Sequence, residues 1–241
     1  MGRVASLNTG LIKAQGAQER TLLRDEKFRR DLDSLLARLS PGLPEDILVE
    51  LEALKEKLIW LHAQGRAKIN HSVMELVCAK ELLLMGYLVD VEYEIGQLVC
   101  DVYAEMDGEG LVIEIETGFV PPEHALDPLT YCRARIVSKI ARYGSLAERF
   151  ALGLPPHYVA SIPPLFLKEG RERTEEEISK VKTLCDYYYH NPPVSEEEIR
   201  SARLDWVLII DADSLSVSIL SPKTYHEISR AFLSRVLPGA T

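Results

Sequence analysis

The sequence predicts a mixed α/β fold in two parts: a helical hairpin over residues 1–68 and an α/β domain over residues 69–241. Three observations lead there. Apolar residues recur at helical spacing twice near the start of the chain, on either side of a Pro/Gly break. A capped helix is then followed by three short apolar segments joined by tight-turn signals. Two further apolar runs, "FALGLP" and "LDWVLIIDAD", suit buried strands in length and composition.

The first helix is expected over residues 17–39, where Leu22, Leu23, Phe28, Leu32, Leu35, Leu36 and Leu39 form a stripe. "SPGLPED" ends it. A second helix over residues 45–64 carries Ile47, Leu48, Leu51, Leu54, Leu58 and Leu61 on one face, so the pair makes a hairpin. Two such stripes are more apolar surface than a free arm exposes. They are expected to be buried on the main domain or in a homodimer formed through these helices.

"NHSVMELVCAKELLLMGY" reads as a third helix, with Ser72 as N-cap, Glu75 as the reciprocal partner of a capping box and Gly86 closing the last turn. "YLVDVEYEI", "QLVCDVYAEM" and "LVIEIET" follow as a three-stranded meander, with a Gly-Gln turn and a D-G turn between them. After the loop "GFVPPEHALDP", residues 129–149 read as a helix and "FALGLP" as a strand. Residues 168–203 are highly charged, interrupted at "HNPP", and read as an insertion, lid or mobile arm. "LDWVLIIDAD" and "LSVSIL" pair as a hairpin, and "SPKTYHEISRAFLSRVL" closes the chain as a capped helix.

Composition narrows the function classes. No apolar run reaches the roughly 18 residues needed to span a bilayer, and the N-terminus lacks the apolar core of a signal peptide, so the expected location is cytoplasmic with no membrane partner. Cys78, Cys100, Cys132 and Cys185 are widely spaced without a C-x-x-C pair, which argues for small core hydrophobes rather than zinc or iron–sulfur ligands. Scarce Asn and Gln beside abundant Glu and Arg lean towards a thermophilic source. G-x-x-x-x-G-K-[ST], H-E-x-x-H and G-x-S-x-G are all absent, removing the common nucleotide, zincin and serine-hydrolase readings.

Charge is unevenly spread. Residues 1–70 hold 12 Lys and Arg against 10 Asp and Glu, whereas residues 71–117 hold 1 against 11. That acidic block contains "LVIEIETG", a core-like strand carrying Glu114 and Glu116 two residues apart and hence on the same face. Two neighbouring carboxylates on an apolar strand repel each other and lose hydration, so they point to a cation site unless the face is solvated, with Glu116 at the strand's end. Asp101, between Cys100 and Val102 on the preceding strand, is equally hard to explain as core packing.

The order helix, three strands, helix, strand over about residues 71–154 resembles the PD-(D/E)XK nuclease superfamily, which includes restriction endonucleases and Holliday-junction resolvases. The likeness rests on Glu75, Ala79, Leu83 and Gly86 in the helix, Asp101 in "VCDVYA", and Glu114-Ile115-Glu116 where the family carries an acidic residue, a spacer and usually lysine. It implies a restriction-endonuclease-like core and an endo- or exonuclease dependent on Mg²⁺ or Mn²⁺, acting on nucleic acid, with DNA the expected substrate. Asp101 and Glu114 would be the main metal ligands and Glu75 a further one. Glu116 departs from the motif. Either it or Lys139 from the following helix would take the role of the missing lysine at the attacking water.

Arg135, Lys139 and Arg142 fall at i, i+4, i+7 and form one basic stripe on that helix. Arg135, Arg142 and His71 are the candidate nucleic-acid contacts, with Arg20, Arg24, Lys27, Arg29 and Arg30 of the hairpin as a further basic track. His124, Tyr131 and the three tyrosines of "CDYYYHNPP" are weaker candidates for base stacking, with aromatic packing of a lid as their alternative. A rival to catalysis is a nuclease-like fold kept as a binding or assembly module.

Overall fold

The computed structural model describes residues 22–236. It divides into two compact units, one ending at Val73 and the other beginning at Met74. In the first unit, helix α1 occupies residues 22–39 and α2 spans Glu45–Ala63. The break between them is a turn with Gly42 at φ +81°, a left-handed backbone that glycine adopts without a Cβ penalty. The hairpin is stitched by polar contacts. Arg29 pairs with Glu56 at 2.7 Å, and the buried Lys55 reaches Asp33 at 2.6 Å. The Phe28 and His62 rings stack at 3.8 Å. Phe28, Leu32, Leu35, Leu36 and Leu39 of α1 and Leu51, Leu54, Leu58 and Leu61 of α2 are all buried within the single chain. Arg20 lies outside the described residues.

Helix α3 (Ile69–Leu84) leads into the second unit. It ends as the glycine requires: Gly86 sits at φ +92°, its N–H donates to Leu83 O, and the Tyr87 N–H reaches back to Leu82 O. Its start departs from expectation. The helix begins three residues before the proposed cap, at Ile69, so Ser72 lies in its interior, buried, with its hydroxyl unpartnered. There is no capping box, and Glu75 is left without that structural role.

Strands β1 (Leu88–Ile95), β2 (Leu98–Met106) and β3 (Glu109–Ile115) form the antiparallel meander. Its second turn has Asp107 at φ +55° and Gly108 at φ +80°, the paired left-handed residues of a type I′ hairpin. After a short 3₁₀ turn, α4 (Pro128–Tyr143) crosses over to β4 (Arg149–Leu154), which pairs parallel with β3. The helix is shorter than the expected 129–149. It stops at Gly144, where a Cβ would stand 2.6 Å from Arg203 O and 2.5 Å from Ile140 O.

Helices α5 (Glu175–Tyr188) and α6 (Glu196–Ser201) follow, then β5 (Trp206–Asp211), β6 (Ser216–Leu220) and α7 (Pro222–Val236). The result is an open six-stranded mixed sheet in the order β1-β2-β3-β4-β5-β6, with β4–β5 parallel and β5–β6 antiparallel.

The charged segment, read as an insertion, lid or mobile arm, packs its apolar side chains into the core. Capping boxes at Thr174 and Ser195 start its two helices. Ile178, Val181, Cys185, Val194 and Ile199 join Ile136, Val137, Ile140, Phe150 and Leu152 in one buried cluster. Arg173 locks it in place. Buried, it donates to the carbonyls of Leu165, Lys168, Ile199 and Arg200, and its guanidinium lies over the Phe166 ring. Among the described residues no helix is long and apolar enough to cross a membrane.

Candidate metal centre

The regular strand pairing breaks off at Asp101. The β1–β2 register omits the position of Glu92 and Asp101, and the β2–β3 ladder begins only at Val102↔Ile113. Carboxylates take over the backbone bonding. The Ile115 N–H donates to Asp101 Oδ2 at 2.5 Å, and the Asp101 N–H donates to Glu114 Oε1 at 3.3 Å. Asp101 and Glu114 are thereby held against each other by the strands that carry them.

Helix α4 supplies a cation to these carboxylates. Lys139 Nζ lies 2.9 Å from Glu114 Oε2 and 3.3 Å from Asp101 Oδ2, and donates at 2.6 Å to the Ile115 carbonyl. An ammonium has three protons to give, and these three oxygens account for them. Burial opposes the charged form of Lys139, but Asp101, Glu114 and Glu116 outweigh it and push its pKa up. Glu114 is 3 % exposed, and burial, then the Asp101 charge, raises it from 4.5 to about 8 against the pull of Lys139.

Glu75 enters from α3. It is fully buried at 0 % exposure, and neither carboxyl oxygen has a hydrogen-bond partner. Burial first, then the charges of Asp101, Glu92 and Glu114, raise its pKa well above the ordinary carboxylate range. Leaving such a group unpartnered is destabilising by about 1–3 kcal/mol, so a carboxyl kept there is a group fitted to a proton or a cation. His71 stands one turn earlier on the same helix, at the i, i+4 spacing that shares a face.

Glu116, just past the end of β3, is equally buried but differently engaged. Its Oε1 accepts the Gly118 N–H at 2.9 Å, and its Oε2 lies 2.6 Å from Arg135 Nε, a contact of charges without the alignment of a hydrogen bond. Gly118 is at φ +77° against the Tyr158 ring, so the carboxylate fixes a turn that has room for no side chain.

The basic stripe of α4 therefore splits three ways. Lys139 goes to Asp101, Glu114 and the Ile115 carbonyl, and Arg135 to Glu116 and the Phe119 carbonyl. Arg142 donates to the Pro192 carbonyl and lies over the Tyr189 ring. His124 stacks on Tyr131 with centroids 4.1 Å apart, and Tyr188 meets both edge-on while its hydroxyl donates to Asp127.

Glu92 was missing from the sequence reading. It sits on β1 at φ +45°, where non-glycine residues are uncommon, in the gap of the register beside Asp101. The alternation of "VDVEYEI" presents it as an ordinary strand residue, and no local signal sets it apart.

The donor set suits a hard divalent ion: two carboxylates and a backbone carbonyl converge on one point, with a third, unpartnered carboxyl on the adjoining helix. No family model, curated protein or solved structure matches this chain.

Proposed function

We propose that the protein is a divalent-metal-dependent nuclease that hydrolyses phosphodiester bonds in DNA, with a restriction-endonuclease-like core. The observation that carries the reading is the convergence of Asp101, Glu114 and the Ile115 carbonyl on one cation position between β2, β3 and α4. Phosphodiester hydrolysis needs charge neutralisation at the phosphate, an activated water and a stabilised leaving oxygen. The element order α3-β1-β2-β3-α4-β4 and the unpartnered Glu75 support the same reading.

Asp101, Glu114 and the Ile115 carbonyl would hold Mg²⁺ or Mn²⁺, with Glu75 as a further ligand or as acceptor for a coordinated water. The ion would supply positive charge at the phosphate and acidify a water. The remaining chemistry belongs to the chain. Lys139 is the motif lysine supplied from α4; moved off the carboxylates by the ion but still beside them, its ammonium would orient the attacking water and face the developing negative charge. Glu116, committed to Arg135 and the Gly118 amide, holds the loop after β3 and is not the base.

The test is cleavage of single-stranded, duplex and branched DNA, and of RNA, in Mg²⁺ and in Mn²⁺. Metal-dependent cleavage lost in both Asp101→Asn and Glu114→Gln supports the reading, and cleavage that survives both refutes it. A second reading, a binding or assembly module without catalysis, is favoured by the occupation of the cation position by Lys139 itself. It takes over if the wild-type protein cuts none of these substrates.

A further inference from the structure

We infer that Lys139 is a competing cation built into the metal site: its ammonium holds the oxygens that a divalent ion between Asp101 and Glu114 would take, so an ion bound there displaces the lysine side chain. The inference rests on the metal-site reading above and adds to it what sets the affinity.

The contacts leave little room for both. Nζ lies 2.6 Å from Ile115 O, 2.9 Å from Glu114 Oε2 and 3.3 Å from Asp101 Oδ2. These are the oxygens to which a hard divalent ion would bind, at about 2.1 Å for Mg²⁺. An ion at that distance from the same three atoms would overlap the ammonium nitrogen. The oxygens must therefore lose the lysine and then draw inwards. The strands hold Asp101 Oδ2 and Glu114 Oε1 in place, through the Ile115 N–H and the Asp101 N–H, so an ion that takes Glu114 Oε2 and the Ile115 carbonyl meets the ammonium there.

The device has two consequences. The ammonium screens Asp101 and Glu114 from each other in the metal-free protein, which lets two carboxylates persist in a buried strand pair. It also scales the metal affinity down to the fraction of molecules in which the lysine has swung out. A monovalent ion gains no charge over the ammonium it replaces, whereas a divalent ion does. Lys139 thus acts as a specificity-determining residue favouring divalent ions, and Glu75, with an oxygen within 4.8 Å of an Asp101 oxygen, adds to the metal a carboxyl that makes no hydrogen bond.

The test uses the full chain. Mn²⁺ affinity is measured by calorimetry for wild type and for Lys139→Gln, which keeps the side-chain length and removes the charge. The Lys139 ammonium resonance of wild type is followed by ¹⁵N nuclear magnetic resonance during Mg²⁺ titration, assigned through its own side-chain carbons. Expected are Mn²⁺ binding about tenfold or more tighter in Lys139→Gln and a Lys139 resonance that moves as Mg²⁺ saturates. Equal Mn²⁺ affinity in the two proteins overturns the competition and leaves the metal site standing. Absence of binding in both overturns the metal site as well. Should Lys139→Gln fail to fold, the wild-type titration decides, and a Lys139 resonance unchanged at saturating Mg²⁺ overturns the inference.

Discussion

Replacing Glu75 by leucine should make the metal-free protein more stable, and increasingly so as pH rises. Glu75 is fully buried, and both its oxygens lack partners. An apolar side chain of similar volume removes an unsatisfied polar group, a gain of about 1–3 kcal/mol. The pH term follows from linkage. Burial and the Asp101, Glu92 and Glu114 charges raise the folded-state pKa of Glu75, so the folded protein holds that proton more tightly than the unfolded chain. Its stability is then fully present below the ordinary carboxylate range and is lost as pH rises towards the folded pKa, at about 1.4 kcal/mol per pH unit. The variant lacks this loss, and it also relieves Glu114 and Asp101 of a neighbouring negative charge, which acts in the same direction. The assay is urea unfolding in chelator at several pH values between about 5 and about 8. A stability difference that widens in favour of Glu75→Leu with pH is expected. A variant less stable than wild type across that range would refute the claim that this carboxyl is kept against the interest of the fold.

Arg135→Met should destabilise the protein by about 2–3 kcal/mol, because it leaves Glu116 buried without its cation; adding Glu116→Gln should recover part of the loss in the same unfolding assay. Arg173→Met should cost about 3 kcal/mol by orphaning carbonyls ahead of α5 and within α6. Proteolysis within residues 168–203 should accelerate in that variant. The Cys78 thiol, pushed by burial to about 12, should resist alkylation in the native protein at mildly alkaline pH and react after unfolding.

Much of this architecture was legible because local rules and tertiary demands agree. The D-G pair specified a type I′ turn and got one, and Gly86 ended α3 in the left-handed backbone its position requires. Alternation placed Glu114 and Glu116 together, and both do reach α4. What periodicity could not reveal was how that helix would answer them. Arg135, Lys139 and Arg142 are equivalent on a helical stripe, yet packing sends one to Glu116, one into the cation position and one to the Pro192 carbonyl.

Ser72 and Glu75 matched a capping box by spacing alone. The helix starts upstream, with the Ser72 N–H already committed to the Lys68 carbonyl rather than free for a cap. The segment 168–203 shows mainly its charge in the sequence: its exposed faces carry the Glu and Lys residues, while a small number of apolar positions and one buried arginine fasten it to the core. Glu92 gave no sign in the sequence, since its backbone conformation and its place beside Asp101 exist only once the strands are paired.

The central claim, that Asp101 and Glu114 form a divalent-cation site, is tested most directly by a crystal of the full chain soaked in Mn²⁺ and measured at the manganese absorption edge. The account requires an anomalous peak about 2.0–2.4 Å from carboxylate oxygens of both residues, with the Lys139 ammonium displaced from the position it now fills between them. A map with Lys139 still seated on Glu114, Asp101 and the Ile115 carbonyl, and no manganese there at a saturating concentration, would contradict it.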